Sequence, residues 1–160
     1  MKRLWAPWRM AYVGGARASA GCIFCDALAA GDDRGRLILR RRAHAFLILN
    51  AYPYTPGHLM AVLNRHVATV AGAGAEELAE IMRLVGDATR ALADEYRAEG
   101  FNIGLNQGLA AGAGVEDHLH VHVVPRWSGD TNFMPILGEA RVLPEALGTT
   151  YDRLRTRFDG

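Results

Sequence analysis

A chain of 160 residues, half of them hydrophobic and 22% charged, carries enough apolar material for one substantial core and suggests a single soluble domain. Its formal net charge of +1 offers no global field for nucleic acid, and no stretch approaches the ~20 apolar residues of a membrane-spanning helix. Nucleic acid and membrane are thus excluded as expected partners.

The first residues, Met1 to Val13, start with Lys2 and Arg3 as an export signal does, but Pro7, Trp8 and Arg9 break the apolar stretch such a signal needs. The expectation is a cytoplasmic protein, with Cys22 and Cys25 as thiols or metal ligands and not a structural disulfide. Residues 1–21 read as an irregular arm whose Trp5, Trp8 and Tyr12 anchor it to the body or to a second subunit. After Cys22-Ile-Phe-Cys25, Asp26 to Ala30 predicts a short helix ending at Gly31. Leu37–Leu39 and Ala45–Leu49 are β-rich runs separated by Arg41-Arg42-Ala43-His44, which predicts a hairpin with the Arg36, Arg40, Arg41 and Arg42 cluster in solvent. Asn50 to Gly57 is dense in breakers and reads as a loop, followed by a third strand over His58–Asn64.

From Glu76 to about Arg97, Leu78, Ile81, Met82, Val85, Leu92 and Tyr96 recur at helical spacing, so a long amphipathic helix ends near Gly100. Phe101–Leu105 is a fourth strand, and the glycine-rich Gly108 to Gly114 leads into a fifth over His118–Val124. Pro125, which has no amide hydrogen, is expected to end it. Pro144 marks a helix start, and Leu147, Tyr151, Leu154 and Phe158 are spaced for a last helix. There are no repeats. The order of elements gives an α+β class, an antiparallel sheet with helices to one side.

The fifth strand concentrates the chemistry. Strand side chains alternate, so His118, His120 and His122 share one face, their rings repeating every ~6.6–7 Å, while Leu119, Val121 and Val123 take the other. A merely polar strand face favours Thr, Lys and Glu over three imidazoles. Two readings follow: the rings bind a metal, or at least one acts as nucleophile or general base on a phosphorylated substrate. Asn106-Gln107-Gly108 through Gly112-Ala113-Gly114 precedes the strand, and glycines there let backbone amides approach phosphate oxygens; most such loops are simply turns. The spacing of Cys22 and Cys25 suits two thiolates on one zinc ion, with His66 and His118 as candidates for the remaining ligands. A redox CxxC lacks a thioredoxin-like context here, and a lone His66 also reads as a surface residue. Asn50 either caps its own turn or is held beside His58 by a loop stiffened at Pro53 and Pro56.

These residues resemble the histidine triad (HIT) superfamily, whose His-φ-His-φ-His-φ-φ signature is filled by His118 to Val124. Leu4-Trp5-Ala6-Pro7-Trp8-Arg9, Cys22-Ile-Phe-Cys25, Pro56-Gly57-His58-Leu59 and Val124 to Phe133 resemble its bacterial branch related to diadenosine tetraphosphate phosphorylases. The resemblance implies one HIT domain over residues 1–160, with the arm at 1–21 and a C-terminal extension at 128–160. Its fold would be a five-stranded antiparallel sheet with one long helix and short flanking helices, paired as a homodimer. It implies His120 as the nucleophile on an α-phosphorus, His122 as a ligand of the phosphate and its leaving oxygen, and His58 as a further histidine of the site. Asn50 would hold the ribose hydroxyls, and Gln107, or neighbouring Asn106, a phosphate or bridging oxygen. Cys22, Cys25, His66 and His118 fit the structural zinc site of some relatives, and no organic cofactor is implied. Trp127 either shapes the nucleotide pocket or packs.

Two departures stand out: Val115 replaces a phosphate-binding Ser or Thr three residues before the triad, which shifts that work to the amides of Gly112 and Gly114. Several phosphorylase relatives also lack the CxxC. The implied activity is two-step nucleotidyl transfer from a dinucleoside polyphosphate, with phosphate or water as acceptor. The alternatives are a hydrolase of dinucleoside polyphosphates or nucleoside phosphoramidates, a metal hydrolase with the three triad histidines as ligands, and a nucleotide-binding module with little turnover.

Overall fold

Ala45–Leu49 and Leu59–Leu63 are apolar at every position and buried at every position, so each must be covered on both faces. They form the centre of a five-stranded antiparallel sheet in the computed structural model, which describes residues 21–130 and 145–158. The strands are β1 (Ile38–Arg41), β2 (Ala45–Leu49), β3 (Leu59–Leu63), β4 (Gly100–Gly104) and β5 (His120–Arg126), in the order β1-β2-β3-β5-β4. The aromatic anchors Trp5, Trp8 and Tyr12, and Pro144 with the rest of residues 131–144, lie outside the described residues.

One face is covered by α2 (Ala75–Tyr96), whose Ile81, Leu84, Val85, Ala88 and Leu92 pack on Leu47, Ala61, Leu63, Val121 and Val123. The helical register is the expected one except at Met82, which is 56% exposed while Leu84 takes the buried place. Arg97 closes the helix in the left-handed conformation, φ 52°. The other face is covered by α1 (Ile23–Ala29), whose Phe24 and Ala27 pack on Ile38, Phe46, Ile48, Met60 and Val62. The final helix, α3 (Leu147–Arg155), sets Tyr151 and Leu154 into the first core, and the Tyr151 hydroxyl donates to the Ile38 carbonyl at 3.1 Å. So helices flank both faces, where the sequence suggested one. The reason is that β2 and β3 have no polar face to leave in water.

Boundaries shift at two informative places. The helix after the cysteines begins at Ile23 and not at Asp26, because the Asp26 amide already donates to the Cys22 carbonyl at 2.9 Å. Both cysteines therefore sit on one turn. Pro125 does not end the last strand: β5 continues through it to Arg126, paired with β4 as Phe101↔Pro125 and Gly100↔Arg126. Pairing with β3 stops at Leu59↔Val123, and the Pro125 carbonyl accepts from the Thr55 hydroxyl at 3.1 Å, on the side where β3 has ended. In an extended residue N and C=O face the same neighbour, so the missing amide hydrogen falls where no ladder needs it. At its other end β5 starts at His120, leaving His118 just ahead of the ladder.

Candidate active site

The register builds the site. Val62 pairs with His120 and Met60 with His122, while the Asn50 amide donates to the His58 carbonyl at 2.9 Å, one step beyond Leu49↔Leu59. Alternation then places Asn50, His58, His120 and His122 on one face. On the β4 side, Gly104 is opposite His122, and a Cβ there would meet nothing within 4 Å, so the sheet is open beside that ring.

Hydrogen bonds settle which nitrogen of each ring is the donor. His120 Nδ1 is 2.8 Å from the His118 carbonyl, which can only accept, so Nδ1 carries the proton and Nε2 keeps its lone pair. The Tyr54 amide donates to His58 Nδ1 at 3.2 Å, so the proton of His58 is on Nε2, which donates to His122 Nδ1 at 2.9 Å. His122 therefore carries its proton on Nε2. The result is a bare nitrogen on His120 beside an N–H on His122, with ring centroids 4.9 Å apart. Burial holds both rings neutral: His120 lies below the ordinary histidine range, and His122, also disfavoured by His120, is pushed down to about 4.

His118 belongs to a second cluster. Its Nε2 is 2.7 Å from the Leu63 carbonyl, which leaves Nδ1 as a lone pair 3.2 Å from Cys22 Sγ and 3.6 Å from Cys25 Sγ. His66 Nδ1 is 3.4 Å from Cys25 Sγ, and all four ligand atoms lie within 4.8 Å of one another. A tetrahedral ion with Zn–S of about 2.3 Å and Zn–N of about 2.0 Å sets S···N separations of roughly 3.5 Å, so the donor set fits such a metal. Burial, and after it the neighbouring Cys22 thiol, raise the Cys25 pKa to about 11, a cost that a bound cation would reverse. Asp117 Oδ2 lies 3.7 Å from His66 Nε2, near that ring but beyond hydrogen-bond reach. The three triad rings are thus divided between two clusters, which removes the reading of His118, His120 and His122 as one ligand set.

The remaining candidates are not all brought to the rings. Asn50 makes the turn expected of it, its Oδ1 accepting from the Tyr52 amide at 2.8 Å, while its Nδ2 lies 3.4 Å from His58 Nδ1. Gln107 is exposed with its Oε1 on the Val70 amide at 2.9 Å, and Asn106 Nδ2 donates to the Gly112 carbonyl at 3.5 Å. Gly112 adopts φ 80°, and Gly114 is exposed. Trp127 donates from its indole to the Tyr96 carbonyl at 3.0 Å, the packing alternative, at the end of α2. Val115 packs against the core around Phe24.

Two residues at the site escape sequence reasoning. Phe24, 2% exposed, packs its ring 5.0 Å from His120 and 5.4 Å from His118. Tyr54 lies over His58 at 4.6 Å. The only signal for Phe24 was its place between the cysteines, and for Tyr54 its place in the loop before His58.

The profile of the HIT domain matches residues 36–129. The AP-4-A phosphorylase of Mycobacterium tuberculosis is 40% identical over 166 residues, spanning 99% of this chain and 85% of that protein. The asymmetrical bis(5'-nucleosyl)-tetraphosphatase of Schizosaccharomyces pombe is 28% identical over 60% of this chain and 52% of its own length. Among solved structures, a zinc-bound histidine triad family protein from Mycobacterium smegmatis shares the fold with a TM-score of 0.70 at 24% identity, covering 86% of this chain and 92% of that one.

Proposed function

This chain belongs to the HIT domain family, and on that premise we propose that it is a nucleotidyl transferase acting on dinucleoside polyphosphates of the diadenosine tetraphosphate type, with inorganic phosphate as acceptor. The observation that carries the reading is the pairing of a bare Nε2 on His120 with an N–H on the adjacent His122.

In the first step His120 Nε2 attacks the α-phosphorus, forming a P–N bond as the P–O bond to the departing nucleotide breaks. The His118 carbonyl, already accepting from Nδ1–H, stabilises the positive charge that develops on the ring. His122 Nε2–H donates to the leaving oxygen, and the chain from the Tyr54 amide through His58 holds that proton outward. In the second step a phosphate oxygen forms a bond to the same phosphorus and the P–N bond breaks, returning neutral His120. Asn50, Asn106, Gln107 and the amide of Gly114 are assigned to the nucleotide, whereas the Gly112 amide is taken by the Leu109 carbonyl at 2.9 Å and Trp127 packs at the end of α2. Cys22, Cys25, His66 and His118 are assigned to a structural zinc ion, whose charge would keep both thiols ionised. A homodimer is assigned to the β4 edge, which exposes Ile103 and Leu105.

The test is product analysis with diadenosine tetraphosphate, with and without inorganic phosphate, beside a His120→Ala control. ADP and ATP formed only with phosphate, and lost in the control, support the proposal. AMP and ATP formed without phosphate make the protein a hydrolase. No product in either mixture removes the dinucleotide reading and directs attention to phosphoramidates.

A further inference from the structure

We propose that Phe24 is a positioning residue for His120, so that the segment carrying the two cysteine ligands also aims the nucleophile. The inference deepens the nucleotidyl-transfer reading and rests on it for its chemistry. The hydrogen bond from Nδ1 to the His118 carbonyl decides which nitrogen is bare. It does not by itself fix the plane of the ring, because the terminal torsion of a histidine is broad. The plane is set by what packs against it. The His122 ring centroid lies 4.9 Å from it with the planes at 76°, and the Phe24 centroid 5.0 Å away, tilted at 50°.

Phe24 reaches that place because α1 starts at Ile23, one residue past Cys22, and presses its first turn onto the sheet. The same ring stands edge-on to His118, at 5.4 Å and 72°. His118 in turn touches both ends of the arrangement, offering Nδ1 to the cysteines and its carbonyl to the nucleophile. The four-ligand cluster and the reacting nitrogen are therefore joined by two routes, one through the His118 backbone and one through Phe24. An ordinary core phenylalanine would contribute only to stability. A ring that aims a nucleophile contributes to the rate of bond formation, since small misalignment of reacting atoms is costly.

The experiment compares metal-loaded wild-type protein with Phe24→Ala and Phe24→Leu. Four quantities are read: metal content, KM for diadenosine tetraphosphate, the single-turnover rate of adenylyl-protein formation, and the imidazole nitrogen shifts of His120 by NMR. With metal content unchanged and KM within about twofold, adenylylation is expected to slow by on the order of 10- to 100-fold in Phe24→Ala and by less in Phe24→Leu. The His120 resonances should shift or broaden in parallel. Wild-type adenylylation in a metal-loaded variant overturns the proposal, as does slowing that only tracks lost metal or lost folded protein. Should Phe24→Ala lose its metal, Phe24→Leu decides by the same readouts. If the wild-type protein forms no adenylyl adduct, the nucleotidyl reading fails. The NMR arm then judges Phe24 alone, and unchanged His120 shifts overturn its role.

Discussion

His122 shows how much of the site depends on hydrogen bonds that no residue pattern announces. Its identity follows from the triad, yet its usefulness as a donor follows from the Tyr54 amide, which occupies Nδ1 of His58 and so turns His58 Nε2 into the group that faces His122. The low pKa of His122 has a consequence for stability. Its native value of about 4 lies below the ordinary 6.5, so between those values the unfolded chain binds the extra proton and the folded one does not. Stability should therefore rise with pH through that window, by about 1.4 kcal/mol per pH unit for this ring at the steepest, and flatten above it. His120, also lowered by burial, adds slope of the same sign. Urea denaturation of wild-type protein and His122→Asn across this range checks the assignment. The variant should show a shallower rise, and equal slopes would mean that His122 titrates near its ordinary value.

At the scale of elements, what was legible is what periodicity and alternation encode. The long helix was readable because Ile81, Val85 and Leu92 repeat on one face, and the central strands because Ala45–Leu49 and Leu59–Leu63 are unbroken apolar runs. Pairing partners are not local, and this is why Pro125 misled: a proline ends a strand only if its nitrogen faces a paired neighbour, and pairing with β3 ends at Leu59↔Val123, two residues short of Pro125. The cysteine–histidine cluster was legible only through family resemblance, since nothing in the spacing of Cys25, His66 and His118 says that they converge. Exposure of an edge was equally hidden. Among the described residues β4 is an edge strand that carries Ile103 at 48% exposure, a surface that proteins ordinarily blunt with charge or cover. Ile103→Lys should weaken self-association by at least about 100-fold if that edge is the dimer interface, since a charge would be buried there without a partner. Sedimentation over a range of concentrations reads the change. A variant that associates as tightly as wild type moves the interface elsewhere.

For the whole molecule, the Cys22, Cys25, His66 and His118 cluster brings the start of α1 together with the segment after β3 and the approach to β5, two segments already joined by the Leu119 amide donating to the Val67 carbonyl at 2.7 Å. The α1 contribution to the second core is small, Phe24 and Ala27 over Ile38, Phe46, Ile48, Met60 and Val62, and a seven-residue helix has little stability of its own. Beyond that packing, the Arg41 guanidinium donates to the Leu28 carbonyl at 2.9 Å, and a metal in the cluster would add a further anchor. A structural zinc ion in such a site contributes on the order of 10 kcal/mol of binding free energy, comparable to the whole stability of an ordinary domain. Removing the metal with a strong chelator should therefore lower the melting temperature by tens of degrees, and hydrogen exchange should quicken first at the amides of α1. The α2 core, whose Leu84, Leu47 and Leu63 are buried without help from the cluster, should lose protection later. Restoring zinc should recover both signals. If chelated and untreated protein melt together and α1 stays protected, the cluster is not a metal site, and the packing of Phe24 and Ala27 with the Arg41–Leu28 hydrogen bond is enough to keep that helix on the sheet.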